Sequence, residues 1–146
     1  MPRSPLSAAR VGMRVLVDTN VFVAALLRSA SCRAIVEALR DGAFTLITAE
    51  ALVDELSDVS RRPKFFGSIS HDDIEELLAL IRRDGCFVTP RRSSIAVRDP
   101  DDRPILDCVY AADCLVSGDH DLQVLGRVGS TAILSPTTFG GWLKAR

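Results

Sequence analysis

MRVLVDTN, residues 13 to 20, decides how the rest of the chain is read. Residues 13–17 form a nearly unbroken apolar run, which suits a central parallel strand covered on both faces, and its carboxyl end delivers Asp18. Downstream, segments with helical and strand periodicity alternate. Helices are expected over residues 21–28 and, after a Ser31 cap, over 32–40, closed by Gly42. A strand over 44–47 leads to Thr48, placed to cap a helix running to about residue 60. Arg61 to Phe66 form a basic and aromatic loop broken by Pro63. Ser70 and Asp73 resemble a capping box, and Ile74, Leu77, Leu78 and Ile81 form the apolar stripe of the helix they open, which Gly85 ends. A third strand is expected over 86–89. Pro104 is tolerable only in a first helical turn, so a helix starts near Asp101 and reaches about Ala112. Strands over 115–117 and 131–134 and a helix from Pro136 complete the pattern. Such alternation predicts an α/β sandwich with a mainly parallel five-stranded sheet and a ligand site at the strands' carboxyl ends.

The 146 residues are enough for a single domain, placed here over 13–146, with residues 1–12 as a loose tail and Met13 an alternative start. No apolar run approaches the roughly 20 residues that a membrane-spanning helix needs, and the first residues lack the apolar core of a signal peptide. Cys32, Cys86, Cys108 and Cys114 form no CxxC pair and have only two histidines to join them, so they read as buried free thiols in a reducing cytoplasm. A net charge of −1 gives the molecule no field of its own for nucleic acid, so any such contact must be local.

The acidic residues carry the chemistry. Asp18 and Asp119 immediately follow expected strands, which aims both into the crevice at the sheet's carboxyl edge. Taken singly, an acid in that place is most often a turn or helix cap. On the helix after Thr48, Leu52, Val53, Leu56 and Val59 define the buried face; Glu50, Asp54 and Asp58 point away from it, while Glu55 lies at its edge. Asp102 precedes Ile105, Leu106 and Val109 by three, four and seven residues and so shares their apolar face. Carboxylates gathered in one crevice repel, and the remedy is a raised pKa or a bound cation; oxygen-only ligands select Mg²⁺ or Mn²⁺.

The strings VLVDTNVFVAALL, VDELSDVSRRPKF and RDPDDRPILDCVYAADCLVSGDHDL, in this order on this alternation, resemble the PIN-domain family, especially the VapC-like toxin components of bacterial toxin–antitoxin pairs. The resemblance spans nearly residues 13–142 and implies a three-layer α/β/α, RNase-H-like sandwich. It implies a metal-dependent endoribonuclease in which Asp18, Glu55, Asp102 and Asp119 are the four principal acids, Asp121 is auxiliary and Asn20 is the polar partner in DTN. The doubled DPDD leaves Asp101 or Asp102 as the third acid, and Ser117 stands where relatives often carry threonine. Asn20, Ser117 and Arg103 are expected to face substrate. RNA, a cognate antitoxin and a second copy in a homodimer are the partners implied, in the cytoplasm.

Phosphate contacts are sought at Arg61, Arg62, Lys64, Arg98 and Arg103, with Phe65 or Phe66 for stacking, whereas Arg82-Arg83 and Arg91-Arg92 read as solvated or as antitoxin contacts. His71 and His120 read as surface residues. A haloacid-dehalogenase-type phosphatase would need DxD where Asp18-Thr19-Asn20 stands, and a response-regulator receiver would need a lysine after its last strand, whereas this chain has only Lys64 and Lys144. A catalytically silent scaffold that binds RNA or a protein is the alternative function.

Overall fold

In the computed structural model, which describes residues 12–92 and 103–145, seven helices and six strands alternate along the chain. β1 (Arg14–Val17), β2 (Thr45–Thr48), β3 (Cys86–Phe87), β4 (Cys114–Val116), β5 (Arg127–Val128) and β6 (Thr131–Leu134) form one sheet in the order β3-β2-β1-β4-β6-β5. Every neighbouring pair is parallel except β5 and β6. The sheet therefore has six strands, not five. The extra one is a two-residue hairpin arm turned at Gly129, which has φ +60°, and it is too short to leave a period-two pattern.

Side chains alternate across the sheet and feed two cores. Val15, Val17, Leu46, Cys114 and Val116 face one side, where α1 (Thr19–Leu26), α2 (Ala30–Arg40), α4 (His71–Asp84) and α7 (Pro136–Ala145) pack around the fully buried Phe139. Leu16, Ile47, Leu115 and Ile133 face the other side, under α5 (Arg103–Leu106), a following 3₁₀ turn over Val109–Ala111, and α6 (His120–Leu125). The helix α3 (Glu50–Ser60) contributes to both. The result is a three-layer α/β/α sandwich. No helix among the described residues is long and apolar enough to cross a membrane.

Several local expectations shift for physical reasons. The first helix stops at Leu26, because Ser29 N–H reaches back to Ala24 O and Arg28 N–H to Ala25 O, a closing motif that holds Arg28 at φ +73°. Thr48 ends β2 rather than capping α3, whose cap position is Ala49. Ser70 does cap α4, accepting Asp73 N–H at 3.0 Å, and Gly85 ends it. The helix expected to reach Ala112 ends at Leu106 and tightens, through i→i−3 bonds from Cys108, Ala111 and Ala112, into the 3₁₀ turn. Cys86 is exposed on the edge strand β3, unlike the other three thiols. Burial pushes the Cys108 thiol up to about 11 and the Cys114 thiol up to about 12, so both stay protonated and unreactive at neutral pH. The expected tail falls outside the described residues except for Gly12.

Candidate active site

The strand order places the site. The chain lays down β2 and β3 on one side of β1 and then returns to lay β4 on the other, so its direction of winding reverses between β1 and β4. Helices leave those two strands toward opposite layers, which opens a crevice at their carboxyl ends. Asp18 follows β1 there, and Ser117, Gly118 and Asp119 follow β4. The backbone closes the junction: Asp18 N–H donates to Val116 O at 2.9 Å and Ser117 N–H to Leu134 O at 3.0 Å.

Asp18 occupies the cap position of α1 but its side chain does no capping there. It is 8% exposed, and its Oδ2 accepts the Ser117 hydroxyl at 2.8 Å. Burial pushes its carboxyl up to about 6; the Ser117 hydrogen bond and the neighbouring Thr19 amide pull it down, while the charges of Glu55 and Asp119 raise it further. Three of the expected acids, from β1, α3 and the end of β4, are thus within electrostatic reach of one another. Glu55 is half-buried, as its place at the edge of the α3 stripe requires, whereas Glu50, Asp54 and Asp58 are exposed.

Asp119 differs from Asp18. Its Oδ1 accepts Asp121 N–H at 2.8 Å and caps α6, so part of its hydrogen-bonding capacity is spent on the fold. Asp121 is half-buried in the first turn of that helix, and His120 is exposed. Asn20 is exposed, and Gly118 N–H donates to its Oδ1 at 3.4 Å, which ties the start of α1 to the loop after β4. Ser117 departs from its expected place beside substrate. It is 0% exposed, donates to Asp18, and accepts Asp119 N–H at 3.0 Å, so its hydroxyl links two acids inside the protein. Gln123, which the sequence reading did not single out, donates to Ser117 O at 2.7 Å and braces the same loop.

Asp101, Asp102 and Arg98 lie outside the described residues, as does the side chain of Arg103. Among the described residues no group of three or more His, Cys, Asp or Glu side chains is close enough together to hold a metal ion. The donor set nonetheless suits a hard divalent cation: it is all oxygen, and its most buried member carries a carboxyl that burial above all, and then two neighbouring charges, make costly to ionise.

The basic residues expected to touch phosphate are mostly engaged within the protein. Arg61 is bound to Glu75 and lies 2.9 Å from His71 Nδ1, and Arg62 lies 3.9 Å from Asp58. Lys64 sits over the Phe65 ring, while Phe66 is 73% exposed. Arg82 pairs with Glu50 and Arg83 with Asp84.

The family model for the PIN domain matches residues 14–121, well over half of the chain, so the protein belongs to the PIN-domain family. Proteins of this family are generally nucleases that bind nucleic acid and typically use divalent metal ions. Comparison with curated proteins and with solved structures gave no significant match.

Proposed function

We propose that this PIN-domain protein is a Mg²⁺- or Mn²⁺-dependent endoribonuclease, acting as the toxin of a toxin–antitoxin pair. The observation that carries the nuclease reading is Asp18: a buried acid, its carboxyl raised to about 6 by burial and by the charges of Glu55 and Asp119, at the point where the sheet reverses its winding. Asp18, Glu55, Asp102 and Asp119 would hold the cation, with Asp121 auxiliary. Bound there, the cation would supply Lewis acidity to an attacking water and offset charge on the leaving oxygen of a phosphodiester.

The chain's own part is positional. Ser117 orients the Asp18 carboxylate through its hydroxyl, and the Asp121 amide fixes Asp119 at the rim. Asn20, exposed beside the loop after β4, and Arg103 are the polar residues assigned to substrate in this reading. Single-stranded RNA is the natural substrate, because its unstacked bases and backbone can enter an open crevice. A small antitoxin and a second copy of the chain are the protein partners that the VapC-like resemblance implies.

Cleavage of a panel of single-stranded RNAs is expected with Mg²⁺ or Mn²⁺ and not in EDTA. Asp18→Asn is expected to lower the rate by about 10²-fold or more, the scale of removing one preorganised electrostatic group, with the fold retained. Full cleavage in EDTA, or an undiminished rate in Asp18→Asn, would overturn the metal-nuclease reading and favour a binding scaffold.

A further inference from the structure

The segment after β3 and the turn before β4 build a second feature, remote from the acids. Residues 105–113 read Ile-Leu-Asp-Cys-Val-Tyr-Ala-Ala-Asp, two apolar residues and one polar or aromatic residue repeated three times. At three residues per turn this repeat puts the apolar pairs on one face and the third residues on another. Ile105, Leu106, Cys108, Val109, Ala111 and Ala112 are accordingly buried, and Tyr110 stands out on the opposite ridge, 44% exposed.

The tyrosine is held rather than loose. Its hydroxyl donates to Thr89 O at 2.6 Å, the Arg91 amide donates to Asp107 O at 2.8 Å, and the Arg91 guanidinium lies over the ring, 4.1 Å from its centroid. Arg91, Arg92, Tyr110 and the β5–β6 turn at Gly129 and Ser130 line a pocket of about 510 Å³. Two arginines stand against one lining aspartate, Asp107, and Arg127 adds a third cation at the rim by donating to Ser130 O at 3.3 Å. Arg91 and Arg92 make no ion pair among the described residues, whereas Arg40, Arg61, Arg62, Arg82 and Arg83 all do.

We infer that the pocket formed by Arg91, Arg92 and Tyr110 is a second contact site for single-stranded RNA, where a base stacks on the Arg91–Tyr110 pair and Arg92 takes a backbone phosphate. This rests on the reading of the protein as a ribonuclease. A guanidinium laid on a phenol ring presents a flat π surface for which every base has a matching face, and the exposed arginine beside it supplies the charge. The need for such a site follows from the acids. A crevice of carboxylates repels phosphate, and a chain of net charge −1 has no general field to overcome that, so attraction must come from local cations. Tyr110 precedes β4 and the Gly129-Ser130 turn precedes β6, so the pocket lies at the amino ends of these two strands, and the carboxyl end of β4 carries Ser117 and Asp119. The two thus flank a strand of three residues, a span that one RNA strand can bridge.

The test is fluorescence anisotropy with a labelled, unstructured RNA of about 16 nucleotides, in EDTA so that it is not cut. Arg92→Glu and Tyr110→Ala are each expected to raise Kd about five- to tenfold, Arg92→Glu also flattening the dependence of Kd on salt, while Tyr110→Phe, which keeps the ring, stays within about twofold. Arg92 is exposed, so Arg92→Glu should unfold at the wild-type temperature and decides the matter alone if Tyr110→Ala does not fold. Unchanged affinity in Arg92→Glu overturns the proposal, and if the same variant loses self-association in sedimentation, the pocket is a protein interface instead. Wild type that cuts RNA while both variants bind normally leaves the nuclease reading standing without this site. Wild type that binds but never cuts, with both variants weakened, sustains the site and removes the nuclease.

Discussion

The two ends of the parallel sheet bury polar side chains in opposite ways. At the amino end, Thr131 opens β6 with 3% exposure, and its hydroxyl lies 2.9 Å from Val109 O and 2.8 Å from Ala112 O, the carbonyls that close the 3₁₀ turn. That group is neutral, and its hydrogen-bond partners are backbone carbonyls. At the carboxyl end, Ser117 makes a bond of similar length, but to a carboxylate that burial and two neighbouring acids burden further. The protein alone satisfies the first arrangement. It leaves the second electrostatically uncompensated, as functional sites commonly are. The buried polar group at one end is therefore satisfied by the protein itself, whereas the one at the other end calls for a cation.

The largest expected effect that would break or sharpen this contrast is on stability without metal. The Asp18 carboxyl is held at about 6 in the folded chain against an ordinary value of 3.8, so the native state binds that proton more tightly than the unfolded state. The associated stability is complete below pH 3.8 and is lost as pH rises through 6. At about 1.4 kcal/mol per pH unit, ionised Asp18 weakens the metal-free fold by about 3 kcal/mol at neutral pH and above. Asp18→Asn should therefore be the more stable protein by about that amount at pH 8 in EDTA, and the two proteins should converge near pH 4 in denaturant unfolding. Millimolar Mg²⁺ should close the gap by stabilising only the wild type. An Asp18→Asn protein that is less stable at pH 8 would mean that the carboxylate is a structural anchor after all.

A smaller effect is expected at Ser117. Ser117→Ala deletes the donor to Asp18 and the acceptor of the Asp119 amide inside the protein, at a cost of about 2 kcal/mol. Because that hydrogen bond lowers the Asp18 carboxyl, losing it moves the carboxyl further up. Mn²⁺ affinity by calorimetry should fall more at pH 6 than at pH 8, where the proton no longer competes. Equal losses at both values would show that Ser117 acts through packing alone.

The contrast between the ends also explains what the sequence could disclose. Asp18 was legible because a buried strand announces itself as an apolar run and the next residue inherits the crevice. Glu55 was legible because helical periodicity separates the edge of a stripe from its centre, a distinction that Asp54 and Asp58 confirm by their exposure. The capping role of Ser70 was legible because it is local, spanning only the four successive residues from Ser70 to Asp73. Ser117 was misplaced because a hydroxyl beside an acid looks the same whether it faces substrate or the interior; only the 99-residue return of the chain to Asp18 decides it. The signal for the 3₁₀ turn was present in the triplet repeat from Ile105 to Asp113, but it was read with a period of 3.6 and so became a helix to Ala112. At that period Tyr110 carries no signal, and Arg91-Arg92 reads only as a solvated pair or an antitoxin contact. The β5 arm, two residues long, carried no periodic signal at all.

The smallest effect belongs to the amino end, and it tests whether the two ends are independent. Thr131→Val keeps the shape of the side chain and removes its one hydroxyl proton, which is shared between two carbonyls. Val109 O retains the Ala112 amide at 3.0 Å, so the loss falls mainly on Ala112 O and should cost about 1 kcal/mol in denaturant unfolding. Unlike Asp18→Asn, the change removes no charge, so the cost should be the same at pH 4 and pH 8. Mn²⁺ affinity should also be untouched, because β4 and β6 carry hydrogen bonds along their length and Ser117 N–H still meets Leu134 O at the far end. A pH-dependent cost, or a loss of Mn²⁺ binding, would mean that a neutral bond at one end of the sheet sets the electrostatics of the other through the register of β6.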